Sequence, residues 1–215
     1  LLKLFITPGV PEPFSTFVPS FLSLEEISVA VSEGARLGIP TAAHCIGGQG
    51  LKDCIDGGVD VIEHMYMAAE QDVERLAASR CVVDLTSGIF LDPSREEFLS
   101  PANALKVRLN RSRVRENVAR IIKARLPFVL GTDAYHGFLY REVGYAVELG
   151  ADPVTAIQGV TSRAARVCRL EDRIGKLENG MEADIIAVEG NPLEDVSRLS
   201  QVGLVMKGGV VYRQP

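Results

Sequence analysis

The chain has 215 residues and a formal net charge of −5, with 47% hydrophobic and 24% charged residues. This is the composition of an ordinary globular protein, and the negative balance provides no basic surface for nucleic acid. No apolar run approaches the ~20 residues of a membrane-spanning helix. The length can bury a sizeable core, although a closed eight-stranded β/α barrel usually needs about 250 residues.

The chain begins with Leu1 rather than Met, inside a strand pattern over residues 1–7. We therefore expect the sequence to start within a domain, so that any signal peptide would lie outside it. The cysteines have no CxxC spacing, which predicts buried free thiols in a reducing compartment and a cytoplasmic location; they are Cys45, Cys54, Cys81 and Cys168.

Strand-like runs alternate with helix-like runs, which predicts βαβ units around a parallel sheet. Ser23 and Glu26 form a predicted capping box at the start of the first helix, which Gly38 ends. A long loop is predicted from the fourth strand to Pro101. The predicted strands are 1–7, 40–44, 59–63, 81–86 and 127–132; the predicted helices are 23–38, 51–55, 71–79, one of roughly twenty residues ending near Arg125, 138–149 and 153–168.

The pattern changes after Leu170, where short strands are predicted over 183–188 and 202–206. A glycine turn at 207–209 then leads into 210–212, which is typical of a hairpin. We predict two domains: a partial (β/α) barrel over 1–170 and the C-terminal portion of a small β-domain over 171–215. The expected fold class is α/β, with five βα units rather than eight.

Three ligand-type side chains close apolar strand runs: His44, His64 and Asp133. A β/α barrel presents its chemistry at the carboxyl ends of its strands, so two imidazoles there could converge on one metal ion. The alternative for each histidine is a polar strand end bonded to a loop. Asp133 could ligate metal and act as a general base, or it could be a helix N-cap or turn residue.

Four further residues carry weaker signals. Lys3 lies in an apolar strand, where it either pairs with another group or extends to the sheet edge. Glu63 should alternate to the face opposite His64, and we interpret it as structural. His136 could orient substrate or lie in a surface loop. Tyr135 belongs to an aromatic-rich loop that could line an apolar pocket.

Several motifs together resemble the amidohydrolase superfamily: Leu2–Gly9, Ala43–Cys45, Val61–His64, Leu130–Ala134 and Ile174–Asp184. More narrowly, the chain is similar to imidazolonepropionase-like enzymes and to Xaa-Pro or Xaa-Arg dipeptidases. The resemblance implies a TIM-type barrel of which about strands 4–8 are present, with part of a small β-sandwich. It also implies a carbamylated Lys3 bridging two divalent metals, with His44 and His64 on one metal and Asp133 on the other.

The family's first-strand His-x-His pair does not occur here, so we expect an incomplete zinc site with one or two ions. The resemblance implies a hydrolase that cleaves an amide or peptide-like C–N bond with metal-activated water, with Asp133 catalytic and Tyr135 and His136 binding a small or dipeptide-like substrate. The 215-residue piece alone should be nearly inactive, and its open sheet edges favour a homo-oligomer. Alternatives are a mononuclear cyclic-amide hydrolase or deaminase and a non-catalytic scaffold.

Overall fold

The fold is taken from a computed structural model that describes residues 1–133 and 136–214, without the side chain of His136. The strands are β1 (Leu2–Phe5), β2 (Thr41–Cys45), β3 (Val61–His64), β4 (Val82–Leu85), β5 (Phe128–Leu130), β6 (Ile185–Val188), β7 (Val202–Lys207) and β8 (Val210–Arg213). The α-helices are α1 (Leu24–Arg36), α2 (Gly48–Gly57), α3 (Glu70–Ala77), α4 (Gly88–Leu91), α5 (Pro101–Lys123), α6 (Leu139–Glu148), α7 (Pro153–Gly159) and α8 (Ser162–Val167).

The predicted parallel sheet is confirmed. Its strand order follows the chain, β1-β2-β3-β4-β5, and the first three pairs are parallel. A helix follows each of the first four strands, as βαβ connections require. The strands are apolar because helices cover the sheet; the buried residues there include Ala43, Ile62, Val83 and Leu85.

The described residues divide into two compact units, Leu1–Phe128 and Val129–Pro215. The second unit contains a three-stranded antiparallel sheet in the order β6-β7-β8. Its predicted hairpin turn is confirmed at Gly208 and Gly209, whose φ values of 54° and 78° favour glycine. The domain boundary predicted at 170/171 stays a prediction.

Two predicted segments differ from the structure. The long loop before Pro101 contains α4 and a 3-10 helix over Pro93–Phe98, because Asp92 caps the latter by accepting from the backbone N–H of Ser94. The single helix predicted over 153–168 is two helices, α7 and α8. They separate at Thr161, whose φ of −128° and ψ of −102° are not helical.

Side-chain hydrogen bonds fix where two elements of the first unit begin, α1 and β2. In α1, Ser23 and Glu26 make the reciprocal hydrogen bonds of the predicted capping box. At the opposite end of β2 from His44, the Asp60 carboxylate accepts from the backbone N–H and the hydroxyl of Thr41, at 2.8 and 2.9 Å. Asp60 directly precedes β3, so this contact ties the starts of two neighbouring strands.

The four cysteines are free thiols, as predicted. Three of them are buried, but Cys168 is exposed, because it lies just past the end of α8. Among the described residues, the helices are all too short or too polar to cross a membrane.

Replacing Ser23 by Ala should lower the free energy of unfolding by about 1 kcal/mol, because it removes the side-chain oxygen that caps α1. Chemical denaturation measures the change. Ser28→Ala is the matched control, since the Ser28 hydroxyl only bonds the Leu24 carbonyl within the same helix. Equal effects of the two substitutions would contradict the capping role.

Candidate metal centre

Strand register brings polar side chains to one face of the sheet, towards its carboxyl end. Phe5 pairs with His44, His44 with Glu63, and Glu63 with Asp84. Residues in register on parallel strands share a face, so these four side chains form one row across β1 to β4.

His64 joins this row although its register predicts the other face. It pairs with Cys45, the neighbour of His44, yet its ring lies beside that of His44, with centroids 4.5 Å apart and planes at 62°. His64 and Met65 have φ values of 78° and 53°. This left-handed backbone, uncommon for residues other than glycine, ends the alternation of β3 and turns the imidazole towards His44.

Both imidazoles are buried, with 7% exposure for His44 and 5% for His64. The ring of His44 stacks on Phe5 at a centroid distance of 4.1 Å, and its Nε2 donates to the Pro8 carbonyl at 3.1 Å. The Nδ1 of His64 lies 2.6 Å from the Thr86 hydroxyl. Packing and hydrogen bonds therefore hold each ring in one orientation.

Burial lowers the pKa of His64 from 6.5 to about 3, with smaller contributions from the positive charges of His44 and Lys3. Desolvation disfavours the charged imidazolium, so His64 is neutral at neutral pH. A neutral imidazole has a nitrogen lone pair, which is the form that binds metal.

Lys3 forms an ion pair with Glu63, and Glu63 Oε2 lies 3.8 Å from His64 Nε2. The Lys3 side chain is 46% exposed. The expectation that Glu63 points away from His64 is wrong, because the left-handed turn brings His64 round to the face that Glu63 occupies. We call Lys3, His44, Glu63 and His64 the strand-end cluster.

The other predicted site residues lie in the second unit. Asp133 is exposed, three residues after β5, with a φ of 54°. Tyr135 lies outside the described residues. His136 begins a 3-10 helix over His136–Phe138, and its side chain lies outside the described part. The roles of these three residues stay predictions.

The strand-end cluster fits a metal ion in part. Two adjacent imidazoles, one of them held neutral, are nitrogen ligands that suit zinc, and a carboxylate lies close by. Across residues 1–133 and 136–214, no group of three or more His, Cys, Asp or Glu side chains is arranged to hold a metal. His44 and His64 are thus brought together, whereas a full ligand set is not.

Sequence reasoning missed two residues beside His64, Tyr66 and Thr86. The Tyr66 hydroxyl donates to the Thr86 carbonyl at 2.9 Å and lies 2.6 Å from the Thr86 hydroxyl. A signal was available for Thr86, because it is a polar residue at the end of the fourth predicted strand, as the histidines are of theirs.

A parallel sheet with helical connections and paired histidines at its strand ends is typical of a partial (β/α) barrel. The comparison with protein families agrees. The chain belongs to the amidohydrolase family, whose sequence model matches residues 18–212. Members of this family generally use divalent metal ions.

Known proteins match nearly the whole chain. Ochratoxinase from Aspergillus niger is 34% identical over an alignment of 212 residues, with 92% of this chain and 43% of the relative covered. Its crystal structure has a TM-score of 0.82 at 30% identity and covers 99% of this chain and 50% of that one. A Xaa-Pro dipeptidase structure with bound methionine in its active site has a TM-score of 0.85 at 31% identity, with 98% and 54% covered.

An imidazolonepropionase from Desulfotalea psychrophila is 23% identical over 179 residues, with 78% of this chain and 38% of the relative covered. The predicted resemblance and the partial TIM-type barrel are confirmed. The chain spans about half the length of the relatives it matches.

The free energy of unfolding should fall by a few kcal/mol as the pH is lowered from about 6.5 towards 3, because the unfolded chain protonates His64 in this window and the folded chain does not. Above this window the histidine contributes no pH dependence. Urea unfolding at a series of pH values measures the slope for the wild type and for His64→Gln. The difference between the two curves isolates this histidine; parallel curves would contradict the lowered pKa.

Proposed function

We propose that the protein is a metal-dependent hydrolase that cleaves the C–N bond of an amide or peptide-like substrate. The observation that carries this proposal is the pair of buried imidazoles, 4.5 Å apart, at the ends of β2 and β3. Adjacent imidazoles at strand ends are nitrogen ligands that suit a divalent metal, and the chain belongs to a family that generally uses divalent metals.

His44 and His64 are the proposed nitrogen ligands. Lys3 is a proposed third ligand through a carbamate, which would turn its ammonium into an anionic oxygen donor. Glu63 beside it would then help to orient the Lys3 side chain that carries the carbamate. Asp133 is the proposed ligand and general base. When bound to these residues, a divalent cation, for which we propose zinc, would supply Lewis-acid chemistry and would lower the pKa of water.

The relatives and the aromatic side chains near His44 guide the choice of substrate. The matched proteins include an ochratoxinase and a Xaa-Pro dipeptidase. Phe5 covers one face of His44 and lies parallel to Phe21, with ring centroids 6.3 Å apart, and both residues are 55% exposed. We therefore propose a small dipeptide-like substrate with an apolar side chain, which Tyr135 and His136 would also contact.

Two alternatives to this function require different states of the strand-end cluster. A mononuclear cyclic-amide hydrolase or deaminase, like the imidazolonepropionase relative, leaves Lys3 as the ammonium partner of Glu63. A non-catalytic scaffold needs no metal. We also propose a homo-oligomer, since β1 and β5 are the first and last strands in the sheet order, and a cytoplasmic location, which free cysteines favour.

His44→Ala and His64→Ala should each weaken zinc binding by at least roughly 100-fold, since loss of a residue that merely orients a ligand already costs 10–100-fold. Competition with a chromogenic chelator measures the affinity. His136→Ala is the matched control, because the third histidine of the chain is no proposed ligand. Unchanged affinity in both variants would leave the scaffold alternative.

The longest form of the protein that carries this sequence should hydrolyse members of a panel of Xaa-Pro, Xaa-Arg and other dipeptides, and lose this activity when a chelator removes the metal. The described residues gather two imidazoles but no complete ligand set, so we expect the 215-residue chain by itself to be nearly inactive. Activity that survives full metal removal would contradict the proposal, whereas hydrolysis of a cyclic amide alone would favour the alternative.

A carbamate on Lys3 distinguishes the dinuclear from the mononuclear site. With ¹³C-labelled bicarbonate and zinc, the wild type should show a carbamate ¹³C resonance by NMR, and Lys3→Arg should lack it, because a guanidinium forms no carbamate here. Absence of the resonance in the zinc-loaded wild type would exclude the bridging role of Lys3.

A further inference from the structure

A short chain of hydrogen bonds joins His64 to the main chain of Thr86. His64 Nδ1 lies 2.6 Å from Thr86 Oγ1, Thr86 Oγ1 lies 2.6 Å from Tyr66 Oη, and Tyr66 Oη lies 2.9 Å from the Thr86 carbonyl oxygen. The three residues are buried, with exposures of 5%, 3% and 2% for His64, Thr86 and Tyr66. Each contact is therefore shielded from water and needs a proton of its own.

Counting the protons along this series of hydrogen bonds fixes which ring nitrogen of His64 is protonated. The Thr86 carbonyl can only accept, so the Tyr66 hydroxyl uses its proton there. Tyr66 Oη must then accept at its second contact, which uses the hydroxyl proton of Thr86. The remaining contact, between Thr86 Oγ1 and His64 Nδ1, is a hydrogen bond only when Nδ1 carries the proton.

The opposite tautomer leaves one contact without a proton. With His64 protonated on Nε2 there are two hydroxyl protons for three short contacts, and two lone pairs would face each other in a buried site. An unsatisfied buried polar contact of this kind is strongly disfavoured. The Tyr66 hydroxyl also lies 3.4 Å from His64 Nδ1, but a proton spent there would leave the carbonyl contact without one.

We propose that Tyr66 and Thr86 are positioning residues that hold His64 in the Nδ1-protonated tautomer, so that the Nε2 lone pair is presented to the strand-end cluster. Nε2 is the nitrogen that lies 3.8 Å from Glu63 Oε2. The hydroxyl pair thus determines which nitrogen of the ring is available to a ligand.

Residues of α5 and the ring of Phe90 hold Tyr66 in place within this series of hydrogen bonds. Asn117 Nδ2 donates to the backbone carbonyl of Tyr66 at 2.8 Å, and Arg120 donates to Asn117 Oδ1 at 2.9 Å, which fixes the direction of the amide. The ring of Phe90 packs edge-on against Tyr66, with centroids 4.6 Å apart. Because Tyr66 is held at both its main chain and its ring, its hydroxyl stays in reach of Thr86.

This inference rests on the proposed function for its consequence, since a preset lone pair matters for binding a metal. A histidine that must change tautomer before it binds loses affinity in proportion to the population of the competent form. Residues that orient metal-binding histidines typically change affinity by 10–100-fold.

Two-bond ¹H–¹⁵N correlation spectra of the metal-free protein test the tautomer directly, because the coupling pattern differs between Nδ1-protonated and Nε2-protonated rings. The chain has three histidines, and His64→Asn identifies the resonances of His64. We expect the Nδ1-protonated pattern for His64. A ring protonated on Nε2 would overturn the proposal.

Substitutions then test the two hydroxyl groups. Tyr66→Phe frees the Thr86 proton to be donated to Nδ1, so a population protonated on Nε2 should appear; Thr86→Val removes the acceptor and should have the same effect. Thr86→Ser is the matched control, since it keeps the hydroxyl and should keep the wild-type pattern. A fully Nδ1-protonated His64 in both Tyr66→Phe and Thr86→Val would overturn the role of these residues.

Zinc affinity separates this inference from the proposed function. Thr86→Val should weaken zinc binding on the order of 10–100-fold and Thr86→Ser should not. If His64→Ala binds zinc normally while the tautomer shifts as expected, the proposed function fails and the positioning role stands. If zinc needs both imidazoles but its affinity is the same in Thr86→Val as in Thr86→Ser, the positioning role fails and the proposed function stands.

Discussion

The left-handed backbone at His64 and Met65 is the constraint on which the site depends. A regular strand would carry the His64 ring to the face of Cys45, away from His44. Positive φ values at two successive non-glycine residues cost on the order of 1–3 kcal/mol each. The surrounding packing and the bond to Thr86 must offset this cost. As a result, the two imidazoles lie on one face of the sheet.

Burial then decides the charge of His64. Two imidazolium ions at this separation would repel each other, and both would lose hydration in a buried site. The same desolvation that lowers the pKa of His64 also keeps water from competing for its nitrogen. The Lys3 side chain, which pairs with Glu63, is 46% exposed, so solvent reduces the cost of its charge.

The fold was predictable where local pattern and tertiary structure agree. The parallel strands and the capping box at Ser23 follow from apolar runs and cap residues, and both were confirmed. His44 and His64 were predictable because a ligand-type residue closed each strand. The break between α7 and α8 at Thr161 was not predictable, because it depends on the dihedral angles of one residue within a helix-like pattern.

Side-chain direction was predictable only where regular geometry holds. Glu63 was expected on the face opposite His64 because side chains alternate along a regular strand. Nothing in the sequence at His64 indicates that this alternation ends there, since left-handed residues other than glycine leave little trace in sequence. The partners of His64 were equally hidden. Tyr66 and Thr86 are twenty residues apart and meet only because β3 and β4 are neighbours.

The Asp60 carboxylate lies at the opposite end of β2 from His44. By accepting twice from Thr41 it fixes how β2 starts relative to β3. A slip of one residue would reverse the faces of every side chain on a strand, and the two imidazoles would separate. Asp60 therefore helps to set the spacing of the two imidazoles from the opposite end of their strands.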